Sequence, residues 1–195
     1  MSTDNPKNRL FPIFLKLESL RLLIVGAGPV AEEKLNAVLK NSPATSIKIV
    51  AKDFSENVNN LIAGKPNIKP IQKEFSENDL EEIDLVIAAV NNKETAAKIR
   101  ECCHKKGILI NVADTPDLCD FYLGSIVQKG QLKLAISTNG QSPTAAKRIR
   151  EMLEGALPDE IDQMIEQLHA VRNQLKGDFQ EKVKKMNEIT KSLIE

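Results

Sequence analysis

The chain has 195 residues, and its 27 Lys and Arg residues balance 27 Asp and Glu residues, so the formal net charge is zero. This length predicts one compact domain with a smaller part attached to it. A neutral chain has no overall field that would gather nucleic acid or anionic lipid. Aromatic residues, at 4% with no Trp, are too few for surfaces that stack single-stranded nucleic acid. We therefore expect no nucleic acid and no membrane among the partners.

The sequence lacks the features of an exported or membrane-bound protein. No stretch approaches the ~18 consecutive apolar residues of a membrane span, and the first ten residues lack the apolar segment of a signal peptide. Cys102, Cys103 and Cys119 cannot all pair, and the two histidines are too few for a multi-histidine metal site. Cys102, Cys103 and His104 diverge by about a hundred degrees per position on a helix, so they cannot converge on one ion. We expect a soluble, cytoplasmic protein with no resident metal.

Short β-branched runs alternate with helical patterns in the first part of the chain. An apolar run at Ile13–Leu17 predicts an additional edge strand or a segment that closes the start of a sheet. The segments Val30–Leu39 and Lys93–Lys106 predict amphipathic helices. This alternation indicates a parallel sheet covered on both faces. The predicted strands lie near Arg21–Val25, Ile47–Val50, Ile68–Ile71, Leu85–Ala89 and Ile108–Val112.

A different pattern follows the last of these strands. Ser125–Gln128 and Gln131–Ser137 flank a Lys-Gly pair, which predicts a β-hairpin. Its exposed edges favour pairing with a second copy of the chain. Ser142 and Pro143 predict the start of a helix that reaches about Glu154. Apolar residues at helical spacing from Ile161 to Leu175 follow it, and then a charged segment from Asp178.

These elements together predict an α/β chain with a Rossmann-like parallel sheet, a β-hairpin dimerisation region and a small C-terminal helical domain. We place an NAD-binding domain at residues 1–113, the dimerisation region at 114–142 and the helical domain at 143–195.

A glycine-rich loop directly follows the first predicted strand. It has the spacing GxGxxA, in which Gly26 allows a tight turn, Gly28 leaves room for a pyrophosphate and Ala31 lets the helix approach the sheet. Pro29 and Val30 open the helix whose amino end would face the phosphates. The pattern predicts a dinucleotide site; a purely structural turn is the alternative.

Two charged residues follow the second predicted strand. Asp53 stands where an acid commonly binds the adenosine ribose, which favours NAD over NADP. Lys52 beside it could instead meet a 2′-phosphate. A cap on the next turn is the alternative role for Asp53.

Polar residues also follow the last predicted parallel strand. In open α/β sheets the ligand binds beyond the carboxyl ends of the strands, where this pattern places Asn111 and Asp114. Asp114 is the candidate acid or base. An Asx turn leading into Pro116 is the alternative.

A third polar cluster follows the hairpin, over residues 137–150. Hydroxyls, a helix start and several cations predict a local anion site in a neutral chain, and a capped helix with solvated charges is the alternative. The residues concerned are Thr138, Asn139, Ser142, Lys147, Arg148 and Arg150.

Three segments, in this order and spacing, carry a resemblance to a known family: PIFLKLESLRLLIVGAGPVAEEK, ILINVADTPDLCDF and LAISTNGQSPTAAKRIRE. Over about residues 10 to 155 the chain resembles the precorrin-2 dehydrogenase and ferrochelatase family, the corresponding module of siroheme synthases, in its free-standing form. The family oxidises precorrin-2 to sirohydrochlorin with NAD, and some members also insert Fe²⁺. Its fold is a Rossmann domain, a dimerisation region of swapped strands and a helical domain.

The resemblance also implies residue roles. Asp114 would be the catalytic carboxylate, and a tetrapyrrole rich in carboxylates would need the donors of residues 138–150. We expect Asn111, Thr138, Asn139, Ser142, Lys147 and Arg148 to bind substrate. The implied cofactor surface comprises Gly26, Gly28, Pro29, Val30, Lys52 and Asp53.

The chain departs from the family pattern at two positions, with Gly124 where proline is frequent and Asn139 where glycine is frequent. Thr138 stands where some bacterial relatives phosphorylate a serine. Three alternatives to a protein with dehydrogenase activity alone stay open at this point. They are a bifunctional dehydrogenase and chelatase, a nucleotide-sensing regulatory module without redox chemistry, and a tetrapyrrole carrier.

Overall fold

The structure is a computed structural model that describes residues 8–191. The chain forms two compact units, one over Arg9–Leu123 and one that begins at Gly124.

The first unit is built on a five-stranded parallel sheet with the strand order β3-β2-β1-β4-β5. Its strands are β1 (Arg21–Val25), β2 (Ser46–Ala51), β3 (Ile68–Gln72), β4 (Leu85–Ala88) and β5 (Leu109–Val112). Its helices are α1 (Pro29–Asn41), α2 (Glu56–Ile62) and α3 (Lys93–Lys105), with short 3-10 turns at Leu17–Ser19, Glu77–Leu80 and Pro116–Leu118. The five strands and two helices expected from the sequence are confirmed.

Apolar residues cover both faces of this sheet, and β1, the central strand, packs against both layers. Leu22 and Ile24 pack on one face with Leu35 of α1. Leu23 packs on the opposite face with Ile99 of α3. All five side chains are at most 2% exposed, which is why these strands are continuous apolar runs rather than alternating ones.

A reciprocal set of bonds joins the amino ends of β1 and β4. The Arg21 side chain donates to the Asp84 carboxylate from Nε at 2.9 Å and from Nη2 at 3.0 Å. The backbone N–H of Arg21 donates to the same carboxylate at 2.7 Å, and the N–H of Asp84 donates to the Arg21 carbonyl at 2.9 Å. The Arg21 guanidinium and backbone amide together lower the pKa of Asp84 to about 2. These bonds thus align β1 with β4 at the end of the strands opposite the glycine loop.

The edge strand, one of the two roles expected for Ile13–Leu17, does not form. Residues 8–16 form no helix or strand, and Leu17 begins a 3-10 turn. Phe11, Ile13 and Phe14 are 85%, 59% and 67% exposed. Pro12 has no N–H to donate to a strand ladder, so the apolar character of this run does not make it a strand.

The second unit combines a β-hairpin with three helices. Strands β6 (Ser125–Lys129) and β7 (Leu132–Ile136) pair antiparallel, and Gly130 in the turn has a φ of +54°. The helices are α4 (Pro143–Ala156), α5 (Ile161–Gln174) and α6 (Phe179–Ile189). This confirms the predicted hairpin and helical tail.

The turn of the hairpin is bonded to the loop between α4 and α5 and to the start of α5. The Lys129 ammonium donates to the Leu157 carbonyl at 2.5 Å and to the Asp159 carboxylate at 2.8 Å. The N–H of Gln131 donates to the Asp162 carboxylate at 2.6 Å. The hairpin therefore forms one unit with these helices. No helix within residues 8–191 has the length and apolar content needed to cross a membrane.

Candidate nucleotide-binding site

The turn between β1 and α1 requires glycine at its first position. Gly26 has a φ of +107°, which side chains of L-residues rarely allow, and a Cβ there would collide with the Ala89 carbonyl oxygen. The chain is fixed at this point because Gly26 N–H donates to the Val50 carbonyl and Ala89 N–H to the Val25 carbonyl, both at 2.8 Å. Gly26 therefore lets β1 turn directly against the end of β4.

Gly28 has a different role from Gly26. It caps α1 in extended backbone conformation with a φ of −92°, and a Cβ there would meet no protein atom within 4 Å. The space beside it is open to a ligand, and Pro29 at the first helical position costs no hydrogen bond. The following amides of a helix lack intrahelical partners and face an anion favourably. Gly28 and the start of α1 thus fit a pyrophosphate.

An open cleft of about 590 Å³ lies at the carboxyl ends of the strands. Its size is within the ordinary range of about 300–1,000 Å³ for cofactor sites. The strand order places it where connections from β1 and β4 run in opposite directions, the position at which open α/β sheets bind ligands. It is lined by residues 25–30, 50–53, 73–75, 89–92, 95 and 98, which include the six expected cofactor residues.

The part of this cleft beside the ends of β2 and β3 carries charges of both signs. Lys52 and Asp53 follow β2 and are exposed. The Lys52 ammonium pairs with the Glu74 carboxylate at 2.5 Å, which raises the pKa of Lys52 and lowers that of Glu74. Glu74 follows the neighbouring strand β3, so the contact joins two strand ends.

The candidate catalytic carboxylate lies in a tight turn immediately after β5. Asp114 is exposed and has a φ of +56°, a conformation that Asp tolerates better than most residues. The turn is closed by the N–H of Thr115, which donates to the Val112 carbonyl at 3.3 Å, and by the Thr115 hydroxyl, which donates to the Ala113 carbonyl at 3.3 Å. Neither bond uses the Asp114 carboxylate.

Side chains that follow Asp114 hold this loop by bonding to the backbone that precedes it. Cys119 Sγ accepts from the Val112 N–H at 3.2 Å and donates to the Val112 carbonyl at 3.1 Å. The Asp120 carboxylate accepts from the Ile110 N–H at 3.0 Å and contacts the His104 ring at 3.0 Å. These bonds hold the end of the loop against β5, with Asp120 ten residues after Ile110.

Asn111 is buried beneath the same loop rather than exposed at the strand end. It is 7% exposed, and its amide nitrogen donates to the Phe121 carbonyl at 2.8 Å and to Cys119 Sγ at 3.5 Å. The structure thus gives its nitrogen a role within the protein. The substrate contact expected from the sequence stays a prediction.

The polar cluster of the second unit surrounds the start of α4. The Ser142 hydroxyl caps the helix by accepting from the Ala145 N–H at 3.1 Å, as the sequence predicted. Thr138 Oγ1 donates to the Ser142 carbonyl at 3.1 Å and accepts from the Ser142 N–H at 3.2 Å. Asn139 has a φ of +55°, a conformation that favours glycine and that asparagine also accepts. The departure from glycine at this position is therefore compatible with the turn.

The other departure, at Gly124, coincides with a close approach. A Cβ at Gly124 would lie 2.7 Å from the Ile136 carbonyl oxygen, so a proline would need a local shift of the hairpin. In the same unit, Lys147 and Arg148 are exposed on α4, where Arg148 pairs with Glu151 at 2.8 Å. Both cations can reach an external anion.

The cysteines of α3 pack into the core. Cys102 and Cys103 are 8% and 0% exposed, and burial raises the pKa of the Cys103 thiol to about 12. Within residues 8–191, His, Cys, Asp and Glu side chains form no group of three that could hold a metal ion.

Sequence reasoning missed the contributions of β3 and β4 to the cleft. Lys73, Glu74 and Phe75 follow β3, Asn92 caps α3 after β4, and Thr95 lies in its first turn. Because the carboxyl ends of parallel strands share one edge, the residues after each predicted strand could have identified them.

A doubly wound parallel sheet with this glycine loop defines a dinucleotide-binding module. A family model described as "Putative NAD(P)-binding" matches residues 13–125, more than half of the chain, and the chain belongs to that family. A second model, described as "Sirohaem biosynthesis protein central", matches residues 129–156. The expected nicotinamide dinucleotide cofactor is thus confirmed.

Related proteins agree with the two family models. The siroheme synthase of Vesicomyosocius okutanii is 34% identical over 168 residues, which cover 86% of this chain and 35% of that protein. The siroheme synthase of Psychromonas ingrahamii is 38% identical over 147 residues, which cover 75% of this chain and 30% of that protein. The chain spans about a third of the length of these relatives.

A solved structure described as SirC, precorrin-2 dehydrogenase, superimposes with a TM-score of 0.73 at 24% identity. The match covers 92% of this chain and 89% of that chain, which confirms the predicted fold class. The two family models and the siroheme synthase relatives confirm the family resemblance that the sequence predicts.

We predict that Gly28→Asp weakens NAD binding by at least about tenfold, since a carboxylate would occupy the phosphate position. A titration of NAD by calorimetry measures this, and the thermal unfolding midpoint should stay near that of the wild type because the added side chain meets no protein atom. Gly155→Asp in α4 is the matched control, since a Cβ at Gly155 also meets nothing within 4 Å. NAD affinity equal in both variants and the wild type would contradict the prediction.

Proposed function

We propose that the protein is an NAD-dependent dehydrogenase that oxidises precorrin-2 to sirohydrochlorin in siroheme biosynthesis. The observation that carries the proposal is the exposed Asp114 carboxylate, held in a left-handed turn just past β5 of an NAD(P)-binding fold. The contiguous matches to an NAD(P)-binding model and a sirohaem biosynthesis model, over 13–125 and 129–156, support it.

In this proposal Asp114 is the general base. The oxidation removes a hydride and a proton from the tetrapyrrole, and NAD, held by Gly26, Gly28 and the start of α1, would supply the acceptor of the hydride. Asp114 takes the proton, and its exposure leaves the carboxylate accessible to a large substrate. Cys119 and Asp120 keep the turn in place through their bonds to β5, so the carboxylate is positioned before substrate arrives.

We assign the dinucleotide to the cleft at the carboxyl ends of the strands and propose NAD rather than NADP. Asp53 would bind the adenosine ribose and the start of α1 the pyrophosphate. The proposed contacts are Gly26, Gly28, Pro29, Val30, Lys52 and Asp53, all of which line the cleft.

The carboxylates of precorrin-2 need cationic and hydrogen-bonding partners, and we propose that the start of α4 supplies them. Lys147 and Arg148 would pair with substrate carboxylates, with Thr138, Asn139 and Ser142 as shorter polar contacts. Asn111 would act by supporting the loop that carries Asp114 as well as by any contact of its amide oxygen.

Insertion of Fe²⁺ into sirohydrochlorin is a second candidate activity, with the metal ion as substrate. It releases two pyrrole protons, which the exposed Asp114 carboxylate would accept one after the other, passing the first to solvent, and this exposure is the observation that favours the activity. The same residue would then serve both reactions.

We further propose a cytoplasmic homodimer organised as the sequence suggests, with functional regions at 1–113, 114–142 and 143–195. The three free cysteines favour a reducing compartment. Strands β6 and β7 form a two-stranded sheet whose outer edges invite pairing with a second copy.

We predict that Asp114→Asn lowers the rate of precorrin-2 oxidation by about 10²–10⁴-fold, the usual loss when a general base is removed. Asn also tolerates the left-handed turn, so folding and NAD affinity should be preserved. Sirohydrochlorin formation is followed by absorbance under anaerobic conditions, and Fe²⁺ insertion into supplied sirohydrochlorin should fall in the same variant if both activities exist.

Asp117→Asn is the matched control, because Asp117 is exposed three residues further along the same loop. It should retain the wild-type rate. Near-wild-type oxidation by Asp114→Asn would return Asp114 to the role of a turn residue. An inactive wild type would instead favour a nucleotide sensor or a tetrapyrrole carrier.

We predict that replacing Lys147 and Arg148 together by Ala raises the KM for precorrin-2 by about tenfold or more, since charge-assisted bonds are lost. NAD affinity should not change. Replacing Lys184 and Lys185 of α6 by Ala removes the same charge from another exposed surface and serves as the control. A KM that stays at the wild-type value would assign Lys147 and Arg148 to a solvated helix face.

Sedimentation at micromolar concentration should give a mass twice that of the 21.6 kDa chain. The expected cause is pairing of the hairpin edges across a twofold axis. A monomer with full dehydrogenase activity would contradict the proposed dimerisation region.

A further inference from the structure

The end of β3 contributes a carboxylate to the cofactor cleft that no expected site residue accounts for. Strands β2 and β3 are parallel neighbours with Ala51 opposite Gln72, and the N–H of Lys73 donates to the Ala51 carbonyl at 2.9 Å. The residues that follow the two strands are therefore side by side. Glu74 and Lys52 line the same cleft.

Glu74 is paired with one of the cleft lysines. It contacts the Lys52 ammonium at 2.5 Å. The pKa of Glu74 is lowered by its hydrogen bond to Lys52 and by the charge of Lys52, with a smaller contribution from Lys98 of α3, which also lines the cleft. Glu74 is thus the ion-pair partner of Lys52.

The third lysine of the cleft is engaged elsewhere. Lys73 Nζ pairs with the Asp79 carboxylate at 2.8 Å and donates to the Ser76 hydroxyl at 3.3 Å. Asp79 is only 5% exposed, so this pairing is anchored in the protein. Lys73 is therefore held by an internal partner, whereas Lys52 is held by an exposed one.

We propose that Glu74 determines cofactor specificity by withholding Lys52 from the 2′-phosphate that distinguishes NADP from NAD. The inference rests on the proposed cofactor site, in which the adenosine ribose lies at the end of β2. It extends that site to a residue of β3 and assigns it a selective role.

The physical basis is competition between two anions for the same cations. A 2′-phosphate that approached Lys52 would have to displace the Glu74 carboxylate, and it would also be repelled by Glu74 and Asp53. A ribose hydroxyl carries no charge and needs only an acceptor, which Asp53 provides. The pair of Lys52 and Glu74 thus penalises NADP while leaving the contacts of NAD in place.

The test is the ratio of NADP to NAD affinity, measured by calorimetry on the full chain. Both cofactors carry the same pyrophosphate, so the ratio isolates the 2′-phosphate. Glu74→Gln keeps the size of the side chain and removes its charge, and it should raise this ratio by about fivefold, the fold-change that an exposed ion pair can supply. Adding Lys52→Ala to Glu74→Gln should cancel most of the gain.

Glu81→Gln is the matched control, because Glu81 is an exposed carboxylate of the same unit that does not line the cleft. Its ratio should equal that of the wild type. An unchanged ratio in Glu74→Gln, or an equal rise in Glu81→Gln, would overturn the inference while the cofactor site stood. Failure of the wild-type protein to bind either dinucleotide would overturn the site itself and the inference with it.

Discussion

The close approach of Gly26 to the Ala89 carbonyl is the constraint on which the rest of the nucleotide site depends. It lets β1 end directly against β4, so the chain can leave the two strands in opposite directions and open a crevice between them. Any side chain at this point would separate the strand ends or distort the turn. At the opposite edge of the same two strands, Arg21 and Asp84 fix the alignment through three bonds to one carboxylate. The crevice thus has a rigid floor before any ligand is considered.

The loop after β5 holds the Asp114 carboxylate in an exposed position at the end of a short strand. A left-handed residue costs backbone energy of about 1–3 kcal/mol and persists only where neighbouring contacts determine it. Cys119 supplies such contacts by accepting from and donating to the backbone of Val112, and Asp120 adds another at Ile110. Asp114 can therefore be exposed and fixed at once. The bonds that close the turn do not use its carboxylate, as the proposed role of a base for a large external substrate requires.

The sequence predicted elements whose stabilising contacts are local or periodic. Buried β-branched runs gave the five strands, and Ser142 with Pro143 gave the start of α4, because these preferences act within one segment. The edge strand predicted at Ile13–Leu17 does not form, since the apolar character of this run does not compensate for Pro12, which removes a ladder hydrogen bond.

Non-local contacts explain what the sequence could not reveal about the site. Lys52 and Glu74 are twenty-two positions apart and meet only because β2 and β3 are neighbours in register. The cysteine pattern suggested only packing or metal chemistry, so the bonds of Cys119 to Val112 had no sequence counterpart. Asn139 looked like a departure from glycine, yet its φ of +55° shows that the turn needs a left-handed residue rather than glycine itself.

The net charge of the chain is zero, but its ion pairs differ in how deeply the acidic partner is buried. Cations are placed where an anionic ligand would bind, and each set is matched with acids that differ in how firmly they are held. Lys73 is committed to the buried Asp79, so this pair stabilises the loop after β3 and is closed to a ligand. Lys52 is matched with the exposed Glu74, and Arg148 is matched with Glu151 one helical turn away, so both remain open to competition from an external anion. An external phosphate or carboxylate must compete with such an exposed partner, and the pair lowers its affinity by up to about 1 kcal/mol. Selectivity in a neutral chain therefore depends on which acids are exposed, and burial of the acid separates a structural lysine from one available to a ligand.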